Sequence, residues 1–257
     1  MPSLPHLLFA MAASFLAGAI NSVAGGGTLV SFPALLALGL PSITANATST
    51  VAIWPGSIGS MWGFRREIRA APRRFRWLAL PCMVGGLIGA LLLRRTPVQL
   101  FDHLVPFLIL FATVLFTLQA RVKNHLETAP HHDSPRSAAG VAGAWLAQFG
   151  VCIYGGYFGA GMSIMLLAML SFMGLEDILT MSALTSFCSF FVNGVASGLF
   201  SASHMVAWPY VLGMMPTALL GGYAAAAIAH RVSKLMVRRF VIAVGFTIAI
   251  VLFIKMF

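Results

Sequence analysis

Ten apolar runs divide this chain, most of them near 20 residues long: 5–24, 28–39, 42–64, 77–93, 98–120, 138–157, 161–173, 177–200, 206–229 and 238–256. A helix that crosses the roughly 30 Å hydrocarbon core of a bilayer needs about 20 apolar residues. Such runs along the whole length leave no segment for a water-soluble domain. Only 9% of the residues are charged, against about 25% in a soluble domain, so a water-facing surface could not be covered. The expected fold is an all-α integral membrane protein, with the lipid bilayer as its solvent.

The net charge of +10 does not point to nucleic acid. The basic residues sit in short clusters between apolar runs, as topology signals do, and anionic lipid headgroups are their natural partner. The three cysteines, Cys82, Cys152 and Cys188, each lie inside an apolar run. They form neither a metal spacing nor a disulfide framework and read as small buried hydrophobes; no cofactor or metal is expected. The N-terminal run lacks a basic n-region, which argues against a cleaved signal peptide.

The runs repeat. Gly25, Gly26 and Gly27 match Gly159, Ala160 and Gly161; "LGLP" (38–41) matches "MGLE" (173–176); "PCMVGGLIGALLLRR" (81–95) matches "PTALLGGYAAAAIAHR" (216–231). All three share an offset of about 135 residues, a strong sign of internal duplication. The chain thus divides into a first repeat over 1–120, a linker over 121–137 and a second repeat over 138–257. The linker contains "RVKNHLETAPHHDSPRS", whose His131 and His132 read as solvated residues rather than metal ligands.

Five runs per repeat is an odd number, so the two copies should lie in opposite orientations. The charges test this independently. The loop "RREIRAAPRRFR" carries six arginines and should face the cytoplasm. Threading onward from it places all but three of the 16 Lys and Arg residues inside, the exceptions being Arg94, Arg95 and Lys255. Both termini then fall outside. The second and seventh runs are too short to span, so each pairs with its predecessor as a short or re-entrant hairpin.

Inverted repeats with helices interrupted at matching places are a transporter signature, the broken ends meeting near the midplane to form the substrate site. Irregular backbone at membrane depth is tolerated only against protein or a water-filled cavity. "AGGGT" and "FGAGMS" are therefore read as two breaks facing one central site. Amides freed at a break, with the positive end of the following helix, attract an anion. A single glycine cluster would as readily be a helix-packing device; two clusters, each before an under-length run, favour the site. Candidate ligand contacts are the backbone at Gly25, Gly26, Gly27, Gly159 and Gly161, with Asn21, Thr28, Thr48, Ser49, Ser163, Thr185 and Ser186. Each hydroxyl has a competing use, bonding a carbonyl of its own helix.

All six acidic residues lie in loops or at the ends of runs. Intramembrane carboxylates mark proton and cation pathways, so a cation pump is disfavoured and a small anion suits the neutral site better. Two other classes remain. A passive anion channel would also use breaks and small residues, and single-channel current would reveal it. "GAGMS" resembles the glycine-serine pattern of intramembrane serine proteases, with Ser163 as nucleophile and His204 as base, but that reading leaves the duplication unexplained. Ser163→Ala would end the activity of such a hydrolase and only weaken a transporter.

The stretch "AGAINSVAGGGTLVSFPALLALGLPSITANATST" resembles the first signature of the sulfite exporter TauE/SafE family of membrane permeases, and "YGGYFGAGMSIMLLAMLSFMGLEDILTMSALTS" resembles the second. The resemblance covers both halves. It implies a carrier of small sulfur-containing anions, such as sulfite, thiosulfate or organosulfonates, in the bacterial cytoplasmic membrane. It places the family's paired motifs on Gly25 to Gly27 and Gly159 to Gly161, and its small polar cluster on Thr48, Ser49 and Thr50. Ala160 stands where the first copy has Gly26, so the half-sites differ. A homodimer is compatible with the sequence, although no feature specifies one.

Overall fold

The computed structural model describes the chain apart from residues 1, 24–25, 73–74, 76, 129–137, 174, 176, 229–233 and 257. Among the described residues every regular element is helical. The helices are α1 (Leu4–Val23), α2 (Thr28–Ala37), α3 (Ser42–Gly63), α4 (Arg65–Ala70), α5 (Ala79–Arg95), α6 (Val98–Thr128), α7 (Ala138–Tyr157), α8 (Met162–Phe172), α9 (Ile178–Ala202), α10 (Trp208–Ile228) and α11 (Lys234–Met256).

Two differences from the sequence reading have local causes. α6 runs eight residues past the expected end of its apolar run, because "RVKNHLET" is rich in helix formers and no breaker precedes Ala129. His131 and His132 lie outside the described residues. The arginine-rich loop contains a short helix of its own, α4, with no buried residue. Trp62 and Trp77 flank that loop and are 72% and 68% exposed, and the Arg65 guanidinium lies 5.2 Å from the Trp62 ring centroid. Amphipathic rings beside basic residues are what a membrane–water boundary selects.

Among the described residues three helices are long and apolar enough to cross a membrane, over Leu4–Asn21, Val98–Leu118 and Leu179–Ala202. α2 and α8, with 10 and 11 residues, extend about 15 Å each, half of a hydrocarbon core. α3 has 22 residues, but the Ser, Thr and Asn of its first half dilute its apolar character. The outer surface is that of a lipid-facing protein. Leu146, Leu212 and Ile254 are each at least 70% exposed, alongside many other large apolar side chains, a surface that would aggregate in water.

The helices pack through partners far apart in sequence. α1 packs against α10, and α5 packs against α7. In the first crossing, a Cβ on Gly18 would land on the Ala218 carbonyl, and one on Gly221 on the Phe15 carbonyl. In the second, Gly89 abuts the Ile153 carbonyl and Gly156 the Gly86 carbonyl. Only hydrogen fits at those positions, so backbone rests on backbone, the close approach that small residues permit between membrane helices. α5 and α10 carry one of the sequence matches between the halves. Each crosses the first helix of the other half. The same exchange recurs elsewhere: α3 packs on α10 as α9 does on α5, and α2 meets α11 as α8 meets α6. One apolar core joins α1, α2, α3, α6, α10 and α11 with Phe158, Ala160 and residues of α5, α8 and α9; a second gathers α5, α7, α8 and α9.

Candidate functional site

Both chain breaks abut a single turn of α6. Gly26 has φ +87°, and a Cβ there would stand 2.7 Å from the Phe116 ring. Gly159 and Gly161 have φ +80° and +77°, and a Cβ on Gly161 would lie 3.3 Å from Leu115 Cδ1 and 3.4 Å from Ala112 Cα. Glycine holds such left-handed conformations without the strain other residues suffer. Ala112 to Phe116 falls inside the apolar span Val98–Leu118, so the breaks meet within the hydrophobic part of the structure. Phe32 of α2 and Phe158, just before the second break, close edge to face at 5.4 Å. Gly25 lies outside the described residues.

The first break is tied into a hydrogen-bonded chain. The Gly27 amide donates to Asn21 Oδ1 at 2.7 Å, so this amide is already partnered within the protein. Ser31 Oγ lies 3.3 Å from the Gly27 carbonyl and 2.6 Å from Ser49 Oγ. Thr48 Oγ1 accepts from the Ala207 amide at 3.0 Å, joining α3 to the start of α10. Three of the expected contacts, Asn21, Thr48 and Ser49, are thus engaged in holding the fold. Thr28 opens α2 half-buried.

At the second break, the Tyr154 hydroxyl donates to the Ala160 carbonyl at 2.6 Å. Asn46 Nδ2 donates to the Tyr157 carbonyl at 3.0 Å, a bond from the first half to the approach of the second break. Ser163 is half-buried at the start of α8, and Ser186 bonds the Ser182 carbonyl of its own helix. Thr185 behaves differently: it is buried and its Oγ1 has no partner. His204 sits exposed in a left-handed turn after α9, φ 56°, and no hydrogen bond joins it to Ser163. Among the described residues no group of His, Cys, Asp and Glu is arranged to hold a metal.

Sequence reasoning did not place Ser31, Asn46, Tyr154 or Gln148 among the candidate contacts. Ser31 was findable, one turn after Gly27 on the same face of α2. The cysteines are buried and free, and Cys82 Sγ approaches Cys152 Sγ to 3.5 Å. A cavity of about 360 Å³ opens elsewhere, lined by Leu36, Ser42, Asp102, His103, Val105, Pro106 and Leu252. None of the expected site residues lines it, and it lies at the end of α2 and the start of α6.

Comparison with known proteins points to membrane transporters. Residues 10–252 match the family described as Sulfite exporter TauE/SafE. A "Probable membrane transporter protein" of Haemophilus influenzae is 28% identical over 234 residues, covering 90% of this chain and 88% of the relative. "Probable membrane transporter protein ORF9" of Sinorhizobium sp is 27% identical over 250 residues, covering 95% and 92%. "Probable membrane transporter protein YfcA" of Escherichia coli K12 is 31% identical over 159 residues, covering 62% and 55%. No solved structure matches the chain.

Proposed function

The chain belongs to the sulfite exporter TauE/SafE family, a family of membrane transporters, and on that premise we propose that it carries a small sulfur oxyanion or sulfonate across the bacterial cytoplasmic membrane by alternating access. The observation that carries the proposal is the convergence of two chain breaks, each before a half-length helix, on one turn of α6. Broken helices that meet at membrane depth create sites for ions because their freed backbone groups must find partners.

The proposed architecture is two inverted repeats of five segments, 1–120 and 138–257, around a cytoplasmic linker, with both termini outside. The exchange of partners between halves supports it, since matched helices make matched contacts. So does the exposed, tryptophan-flanked arginine loop, which suits the cytoplasmic surface. In this reading the protein works as a transporter without an enzymatic step; Ser163 and His204 lack the hydrogen bond a nucleophile and its base require.

The test is flux in proteoliposomes across sulfite, thiosulfate, sulfoacetate, taurine, sulfate and carboxylate controls. Saturable uptake of one or more sulfur anions is expected. Gly26→Leu or Gly161→Leu should end transport while the protein still reaches the membrane. Normal transport by both variants would remove the shared site, and single-channel current would replace the carrier with a channel.

A further inference from the structure

The cavity of about 360 Å³ lies where three parts of the chain meet. Leu36 and Ser42 flank the turn between α2 and α3, Asp102 and His103 stand in the first turns of α6, and Leu252 lies in the last turns of α11. The proposed threading puts that turn, the start of α6 and the end of α11 all outside. Segments assigned to one side by counting runs and charges thus line one cavity. Asp102 and His103 are exposed, whereas Ser42 is only 5% exposed.

Two helices lead from this cavity to the breaks. α2 starts at the first break and ends at the cavity, and its 10 residues cover about 15 Å. α6 runs from Val105 in the cavity wall to the turn at Ala112–Phe116 on which both breaks rest, roughly 10–17 Å further along. The two helices set the same depth independently.

α3 supplies a polar face along the way. Ser42, Asn46 and Ser49 follow one another by single turns on one side of the helix. Ser42 Oγ and Asn46 Oδ1 are buried without a partner, although native interiors pair nearly all such oxygens. Asn46 Nδ2 donates to the Tyr157 carbonyl at 3.0 Å, beside the second break. Ser49 Oγ lies 2.6 Å from Ser31 Oγ, which lies 3.3 Å from the Gly27 carbonyl at the first break. The face therefore begins at the cavity, reaches both breaks and keeps its open oxygens on the cavity side, where water or solute entering from outside supplies the missing partners. Leu35 on α2 and Ile109, one turn inward from Val105 on α6, are fully buried in the first core, so the way inward is shut in this conformation. Along the chain, Arg94 and Arg95 precede α6 and Lys255 follows Leu252, so Asp102 does not make this end of the molecule negative.

We propose that the cavity is the outer mouth of the route to the two breaks, with the Ser42–Asn46 face of α3 as its polar wall and Leu35 and Ile109 as its closed gate. The assignment rests on the transport reading and holds for whichever anion crosses.

Thiol labelling of the full-length protein tests the mouth apart from flux. The probe is 2-sulfonatoethyl methanethiosulfonate, a charged reagent that does not cross membranes. Added to whole cells, it should modify Ser42→Cys, and separately Leu252→Cys, with a single adduct in the intact mass. The unsubstituted protein should take none, because Cys82, Cys152 and Cys188 are fully buried. In proteoliposomes the modified variants should lose the sulfite flux they show before modification. Modification only in inside-out vesicles places the cavity on the cytoplasmic side and overturns the assignment. Modification by a lipid-soluble maleimide alone marks a cavity open to lipid, and full flux after modification marks a pit off the route; either result also overturns it. If Ser42→Cys does not fold, Leu252→Cys decides alone. If the unsubstituted protein moves no sulfur anion, the substrate reading fails, while labelling from outside still decides whether the cavity opens to the outer water.

Discussion

Around the first break, Asn21 holds the Gly27 amide, and Ser31 holds Ser49; around the second half's helices, Gln148, Thr185 and Ser189 each bury an oxygen that no protein group meets. Matched positions sharpen the contrast. Ser14 occupies in α1 the place that Gln148 has in α7, and its hydroxyl is satisfied by the Met214 carbonyl at 2.7 Å. Ser49 matches Thr185, one paired and the other open. Asn46 stands between the two cases: its Nδ2 reaches Tyr157 while its Oδ1 stays unpaired. Duplicated sequence therefore does not mean duplicated work. A satisfied polar network rigidifies what it joins, so the polar groups beside the first break serve as scaffold, while open buried oxygens occur in both halves, at Ser42, Asn46 and Glu67 as well as at Gln148, Thr185, Ser189 and Ser197.

Substitutions at the two breaks should differ most. A Cβ on Gly27 would land on the backbone carbonyl of Ala17, which cannot swing aside. Gly27→Ala should therefore destabilise by ~4 kcal/mol or more, the range reserved for severe core disruption, and leave little monodisperse protein on size-exclusion chromatography. Gly161→Ala meets the movable end of Leu115 at 3.3 Å and the Ala112 Cα at an ordinary contact distance of 3.4 Å, so its main cost is the left-handed backbone, about 1–2 kcal/mol. Equal loss of folded protein from both would dissolve the contrast between the breaks.

The paired hydroxyls give a smaller effect with opposite signs. Ser49→Ala removes the partner of Ser31 and should lower stability by about 1 kcal/mol, the net worth of one such hydrogen bond. Thr185→Val removes a buried oxygen with no partner, so folding should be unchanged or slightly favoured, while sulfite flux falls. Tm and flux measured on both variants check this. A stability loss in Thr185→Val as large as in Ser49→Ala would show that Thr185 is scaffold too.

Much of the helical plan was legible from the residues, because apolar length and glycine are local signals. The breaks at Gly26, Gly159 and Gly161 do adopt positive φ, and the two short helices are short in the structure. The inner polar arrangement was not legible, since it depends on which helix lies opposite. Thr185 and Ser186 are neighbours in sequence; one bonds its own helix and the other bonds nothing. Gln148 is a single polar residue in an apolar run, and its meaning comes from Cys188, 40 residues away. Cys82 and Cys152 show no spacing pattern because their proximity is set by the glycine crossing of α5 and α7. Ser14 and Met214, 200 residues apart, carry no local sign of their contact.

The smallest expected effect separates the starts of the matched helices α3 and α9. α3 begins after Pro41, which offers no side-chain cap. α9 begins after Asp177, whose carboxylate accepts from the Thr180 hydroxyl and from the Thr180 and Leu179 amides. The Thr180 hydroxyl foremost, then the backbone amides, hold the Asp177 carboxyl below its ordinary pKa. A depressed carboxylate stabilises the folded state above its unfolded pKa, near 4, and that contribution disappears as the pH falls through the folded value. Because Asp177 is exposed, solvent keeps the effect small. Asp177→Ala should cost about 1 kcal/mol, as lost N-caps do, and Asp177→Asn only a few tenths, since the amide oxygen still caps. Acid titration of Tm should show a slightly steeper decline below about pH 4 for the unsubstituted protein than for Asp177→Asn. Identical acid profiles would leave Asp177 as an uncharged cap and make the two helix starts more alike than their sequences.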